Sequence, residues 1–350
     1  MNMTRTTHLF WLLVLLFLSF LSGCTRQEKE PTGRKMSMKT DLLLRTTPVK
    51  NQGNSELCWI YAMLGTIECD RLQKGDSVNL SSVYMARTWL HDQLLSCYFS
   101  GGRKTVSMRG MATMTLHLLQ QHGAHPYDYS SNKEGDKQGA PSWKALARKG
   151  ERLADIAVGR KSGLKTFEKD VEKLLDEETG FMPRFVHLYG ATYSPQEFAH
   201  SVSLPGGYVA MTSFTHHPFG ESFVLEVPDN QLQDRFLNVP IDTLLQRVVS
   251  SLYHGHAVCW EGDTSEPHSK GIYDLSAEAT QEERQQQFEC FKTTDDHCMV
   301  IVGLAHSTDG RMFFICKNSW GTDYGYQGFC YMSYEYALLK TIAVIMHRDL

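Results

Sequence analysis

Near residue 205 the residue pattern of this 350-residue chain changes, and that change limits its possible folds more than any other feature. Before it, apolar residues recur at helical spacing. Leu57 to Leu72 is almost wholly apolar until Glu68, as expected of a helix buried on most sides. Ser81 is placed to cap a second helix carrying Val83, Met85 and Trp89. Met111, Met114, Leu116, Leu118 and Leu119 form a third apolar face, closed by Gly123. Residues 130–163 are charged and glycine-rich and read as an exposed insertion with a short helix. Leu164, Phe167, Val171, Leu174 and Leu175 return to helical spacing up to Gly180, and Ser194-Pro195-Gln196-Glu197 reads as a capping box. After residue 205 the runs are short, β-rich and bounded by turns: 208–214, 222–227, 257–261, 299–304, 312–317 and 328–333. Thr308-Asp309-Gly310 is a hairpin turn between two of them, and the run from Glu278 to Phe288 reads as a solvated helix face. Helices first and an antiparallel sheet second give an α+β class.

The N terminus reads as an address. Arg5 precedes an apolar run from Leu9 to Leu21, which as a helix spans roughly 20 Å against the ~30 Å of a bilayer core. That length fits a cleaved signal better than a membrane span. The run ends in Leu21-Ser22-Gly23-Cys24, and residues 25–40 are polar with no apolar period. The chain therefore divides into a signal at 1–23, a tether at 24–44 and a domain at 45–350. Within that domain, residues 45–200 are mainly helical and 201–350 mainly β.

Composition narrows the function. Apolar residues at 42% and charged residues at 21% exclude wholesale disorder, and a net charge of −4 with no basic run excludes a nucleic-acid footprint. Nine cysteines are too few for a disulfide scaffold; the thiols other than Cys24 and Cys58 are expected mostly buried, with at most one disulfide. His216-His217 and His254-Gly255-His256 lack further ligands at recognised spacing and read as loop or surface histidines.

Three strings carry chemistry. Cys58 opens an apolar helix, where unpaired amides and the positive end of the dipole favour a thiolate. A free thiol of pKa ~8.5 is only about 3% ionised at pH 7, so a cationic partner is required. His297, leading into the strand CMVIVGL, is the candidate base and counter-ion. Asn318, ending the strand RMFFIC, can hold that ring through its side-chain carbonyl. Gln52, six residues before Cys58, can donate to an oxyanion together with the Cys58 amide, and Trp320 can shield the His297–Asn318 hydrogen bond.

Gln52-x5-Cys58-Trp59, Asp296-His297 and Asn318-Ser319-Trp320-Gly321, in that order, resemble the papain-like cysteine peptidases. The stretches 207–227 and 238–252, with the gap of 239 residues between Cys58 and His297, look like the bleomycin hydrolase/aminopeptidase C branch. The resemblance covers roughly residues 45–345. It implies a two-lobed fold with the active-site cleft between a helical and a β lobe. Cys58 would be nucleophile, His297 base and then acid, Asn318 orienter and Gln52 oxyanion donor. Peptides are the implied substrates, and no metal or organic cofactor is implied. Glu56, Gly110, Asp296 and Trp320 are the implied substrate-binding residues. Cys24 resembles the lipidated cysteine of bacterial lipoproteins, which implies an enzyme anchored by lipid in the cell envelope, periplasmic or surface-exposed; separately, a monomer is expected in place of the hexameric cage of bleomycin hydrolases.

Two departures matter. Relatives carry glycine two residues before the nucleophile, and Glu56 stands there instead. Either it puts a selecting carboxylate in the cleft wall, or the loop is rebuilt and activity reduced. The chain also reaches Leu350 without the C-terminal arm that enforces aminopeptidase action in bleomycin hydrolases, which leaves exo- and endopeptidase modes open. The rival functions are a catalytically silent lipoprotein binding peptides in the cleft, and an acyltransferase passing the thioester to an amine.

Overall fold

The computed structural model describes residues 37–348, apart from Asp136, Tyr189, Lys270 and Glu278. The signal run and Cys24 lie outside the described residues. The first element, β1 (Met38–Leu43), falls in the span assigned to the tether. Its side chains are mostly exposed and carry no apolar alternation; what holds it is backbone pairing with the strand Ser307–Gly303.

Helix α1 (Cys58–Gln73) is buried continuously from Trp59 to Asp70. It therefore has no solvated face, and its two acids are paired internally. Glu68 accepts from Thr47 Oγ1 at 2.5 Å, Lys50 Nζ at 2.6 Å and the Leu80 amide at 2.7 Å. Asp70 accepts from the Tyr208 hydroxyl and the Ala257 amide.

Helix α2 (Ser82–Phe99) is capped by Ser81, whose Oγ accepts from the Tyr84 amide. Helix α3 (Ala112–His122) ends at Gly123, φ 84°, where a Cβ would lie 2.2 Å from the Pro195 carbonyl carbon. Only glycine fits both that backbone region and that approach.

The insertion at 130–163 is more structured than its composition suggests. Helix α4 (Trp143–Gly159) runs 17 residues and buries Trp143, Leu146, Ala147, Gly150, Ala154 and Ala157 against α2. Much of its buried face is alanine and glycine, recurring at helical spacing. At Gly150 a Cβ would sit 2.5 Å from Leu94, so the small residue sets how closely the two helices approach. Helices α5 (Leu164–Thr179) and α6 (Pro195–Val202) follow, with a two-stranded hairpin, β2 (Val186–Leu188) and β3 (Ala191–Tyr193), between them. The Ser194/Glu197 capping box is formed.

The second half builds the sheet: β4 (Tyr208–Thr212), β5 (Ser222–Val224), β6 (Arg235–Asn238), helix α7 (Ile241–Tyr253), β7 (Val258–Gly262) and β8 (Ile272–Tyr273). Helix α8 (Gln281–Glu289), β9 (His297–Ser307), β10 (Met312–Lys317), β11 (Phe329–Ser333), helix α9 (Tyr334–Lys340) and β12 (Thr341–His347) complete it. The strand order is β5-β6-β4-β12-β7-β9-β10-β11-β8, antiparallel except at β4/β6 and β8/β11. β9 is nearly continuous apolar sequence, buried on both faces with α1 packed across it. Along one edge its first half pairs β7 and its second half β1; the other edge pairs β10.

Helix α8 has the expected solvated face at Glu282, Glu283, Gln286 and Glu289, but it also buries Arg284 and Gln285. Arg284 is fully buried, donating from Nε to the Ser213 carbonyl and from Nη1 to the Leu338 carbonyl, with its guanidinium over the Phe214 ring. A charged residue buried through its hydrogen bonds to carbonyls leaves no trace in a hydropathy pattern.

Candidate active site

Three local features bring the candidate residues together. Cys58 is the first residue of α1, and Leu57 before it supplies no side-chain cap, so the helix-terminal amides face the site. His297 is the first residue of β9, held by β7 through pairing with Gly262. Asn318 directly follows β10, whose register against β9 shifts between Ile315 and Cys316.

Asn318 Oδ1 accepts from His297 Nε2 at 2.8 Å and from the Ser319 amide at 2.7 Å. That bond fixes the ring and leaves its other nitrogen for the Cys58 thiol. The indole of Trp320 stacks on the imidazole with centroids 4.4 Å apart, and both His297 and Asn318 are buried.

The electrostatics favour an ion pair. The Cys58 thiol is held well below the ordinary thiol pKa, first by a hydrogen bond from the Cys298 side chain and then by the hydrogen bond and charge of His297; burial opposes both. Burial of the His297 ring disfavours its charge, yet Cys58 and Asn318 together raise its pKa. The Cys298 Sγ also lies 3.6 Å from Glu261 Oε1, so its single proton sits between a thiolate and a carboxyl group. Burial and neighbouring charge push Glu261 up to about 8.

Gln52 is buried and oriented at both ends of its amide. Its Oε1 accepts from Ser319 Oγ at 2.6 Å, and its Nε2 donates to the Ser55 carbonyl at 2.7 Å, leaving one N–H for the groove. Gln52, Glu56, Cys58, Gly110, Asp296, His297 and Trp320 all line one groove of about 260 Å³. Glu56 is exposed at its rim. Gly110 is buried against Trp59 and Met114, where a Cβ would come within 2.7 Å of the Met114 side chain. Asp296 spends Oδ1 on the Thr264 amide and hydroxyl, so it anchors the loop before His297 as well as lining the groove.

Four further residues line the groove beyond the expected site set. Cys298 reads as a core strand thiol, because β9 is apolar throughout; only its position after His297 marks it. Arg109, Asp229 and Asp295 form a charged wall. Arg109 makes a bidentate pair with Asp229 at 2.6–3.0 Å and donates to the Asp295 carbonyl at 2.8 Å. Asp229 sits in a turn 120 residues from Arg109, and no local motif marks it. The eight described cysteines are free thiols, with Cys290 exposed. His216, His217 and Glu226 approach one another on the surface, where each histidine bonds the carboxylate. Among the described residues no helix is long and apolar enough to cross a membrane.

Residues 190–350 match the Peptidase C1-like family. Aminopeptidase G of Lactobacillus delbrueckii subsp. lactis is 22% identical, over 87% of this chain and 82% of its own length. Aminopeptidase C of Lactococcus lactis subsp. lactis is 20% identical, over 88% and 82%. The mitochondrial cysteine proteinase 1 of Saccharomyces cerevisiae is 21% identical, over 83% and 72%. The crystal structure of PepW from Lactobacillus rhamnosis superposes with a TM-score of 0.64 at 18% identity, covering 89% of this chain and 82% of that one. The chain thus shares its α+β fold with PepW, and its residues 190–350 match the Peptidase C1-like family.

Proposed function

We propose that the protein hydrolyses peptide amides through a thioester on Cys58. The Cys58 thiolate attacks the carbonyl carbon, and the developing oxyanion accepts from the Cys58 amide and the Gln52 side chain. His297 gives its proton to the departing amine, which leaves as the first product. The neutral ring then takes a proton from water, the hydroxide adds to the thioester, and collapse releases the carboxylic acid and restores the thiolate. Asn318 holds the ring for both transfers, and Trp320 keeps water from their hydrogen bond.

One observation supports this reading above the rest: His297 is hydrogen-bonded through Nε2 to Asn318 while it faces a thiol at a helix start in the same groove. Two relatives carry the name aminopeptidase, which agrees with peptide substrates. The silent peptide-binder reading predicts an ordinary thiol instead. Cys58→Ser should abolish turnover of a peptide library while leaving Tm nearly unchanged; surviving turnover refutes the assignment.

The N-terminal run and Leu21-Ser22-Gly23-Cys24 support an enzyme tethered by lipid outside the cytoplasm. Labelled palmitate should enter the wild-type chain in a bacterial host and fail to enter Cys24→Ala; equal labelling refutes the tether.

A further inference from the structure

Helix α4 carries a charge pattern that peptide hydrolysis does not use. Residues 143–165 hold seven lysines and arginines against two acids, a net charge of +5 inside a chain of −4. The cations are spread at helical spacing, so no basic run marks them. Lys144, Arg148 and Arg152 recur every four residues and stand exposed, on the face opposite the one that α4 buries against α2. Arg160 and Lys161, also exposed, continue the charge past the helix end. Lys149, on the flank, pairs with Glu178, whereas none of these five is paired with an acid among the described residues. Both acids of α4 lean on the loop that follows α2. Glu151 Oε1 accepts from the Val106 amide at 2.7 Å, and Asp155 Oδ1 lies 2.9 Å from the place a Cβ on Gly102 would take.

Apolar side chains stand among these cations. Ile156, one turn after Arg152, is 49% exposed, and Phe99, the last residue of α2, is 68% exposed. Tyr98 holds Phe99 beside the end of α4: its hydroxyl donates to the Ser162 carbonyl at 2.8 Å, and its ring meets that of Phe99 edge-on. One surface thus presents unpaired cations together with two exposed apolar side chains.

That mixture selects the partner. A nucleic acid or an acidic protein segment satisfies the cations and leaves Ile156 and Phe99 in water. An anionic phospholipid surface takes both, the cations at headgroup phosphates and the apolar side chains at the acyl boundary. The sequence offers such a surface, since Arg5 and the apolar run from Leu9 to Leu21 address the chain to a membrane.

We propose that the exposed face of α4 docks on an anionic phospholipid membrane, with Lys144, Arg148, Arg152, Arg160 and Lys161 against headgroup phosphates and Ile156 and Phe99 in the interface. The choice of partner rests on the export reading above; the surface itself does not need a lipid on Cys24.

The test is co-flotation of the full chain with vesicles of phosphatidylcholine, or of phosphatidylcholine and phosphatidylglycerol in equal parts. Every arm carries Cys24→Ala, so no acyl chain contributes. The combined variant Lys144→Glu, Arg148→Glu, Arg152→Glu keeps the same N terminus, so its ratio to the parent chain reads the patch alone. Each basic residue near an anionic surface contributes about fivefold, so the parent should bind the mixed vesicles about 100-fold more tightly than this variant. The two should bind phosphatidylcholine alike, and high salt should close the gap on the mixed vesicles. Ile156→Ser with Phe99→Ser should lose about tenfold although every charge remains. Cys58 should be alkylated by iodoacetamide at the parent rate in each variant, which reports an intact fold. Equal binding of the parent and the charge variant to the mixed vesicles overturns the proposal. Binding to heparin in preference to those vesicles, indifferent to Ile156→Ser with Phe99→Ser, overturns the lipid assignment in favour of a soluble polyanion. Failure of palmitate labelling with vesicle binding retained refutes the tether and leaves this surface standing.

Discussion

Ser319 Oγ donates to Gln52 Oε1 at 2.6 Å, and the Ser319 carbonyl accepts from the Gln52 amide at 2.7 Å. Under the proposed mechanism the residue after the histidine's orienter would therefore also orient the oxyanion donor, so that two proposed roles hang on one turn. Ser319→Ala should lower kcat by about tenfold with little change in KM, because Gln52 loses its fixed rotamer. Gln52→Ala should cost about 100-fold or more, as the loss of an oxyanion donor does elsewhere. Steady-state kinetics on one peptide amide decide this; equal kcat for Ser319→Ala and wild type removes the coupling.

Cys298 contributes through charge. It is the leading cause of the lowered Cys58 pKa, and a hydrogen bond to a charged group is worth about 1.5–3 kcal/mol, against 1.36 kcal/mol per pKa unit. Cys298→Ala should move the acid limb of the kcat/KM profile upward by about one pH unit. An unmoved limb shows that His297 alone sets the thiolate.

Glu261 should make stability fall with rising pH. Its folded pKa, about 8, lies above the ordinary carboxyl value, so between the two the folded state binds more protons than the unfolded one. Its contribution is present below the unfolded pKa and is lost as pH rises through the folded one. Urea denaturation at about pH 6 and about pH 8 should show wild-type stability declining more steeply than that of Glu261→Gln. Parallel declines assign the pH dependence to other groups.

Arg284 should matter although it is far from the chemistry. Truncation to alanine leaves the Ser213 and Leu338 carbonyls buried without their donor, a loss of about 3 kcal/mol. Denaturant melts should show it, and a change within about 0.5 kcal/mol contradicts the buried-donor account.

How much of this was legible follows from the type of signal. The helices starting at Cys58, Ser82, Ala112 and Leu164 and most strands after residue 205 announce themselves through period, caps and turns. The site string was legible because each residue sits beside a local landmark: Gln52 in a glycine-bearing loop, Cys58 at a helix start, Asn318 at a strand end. β1 was not, because an edge strand held by backbone pairing needs no apolar face. Of α4 only a short helix within an exposed insertion was legible, not its length or its burial against α2; nor was Arg284, buried by carbonyl partners. The Arg109–Asp229 pair is a purely tertiary contact, with nothing in either segment to announce it.

The central claim is a thiolate–imidazolium pair between Cys58 and His297, and the rate of Cys58 alkylation by iodoacetamide across pH tests it most directly. The wild-type thiol should react at about pH 5.5 at least tenfold faster than free cysteine, and His297→Ala should return it to titration near 8.5. A wild-type profile that itself titrates near 8.5, unchanged by His297→Ala, contradicts the account.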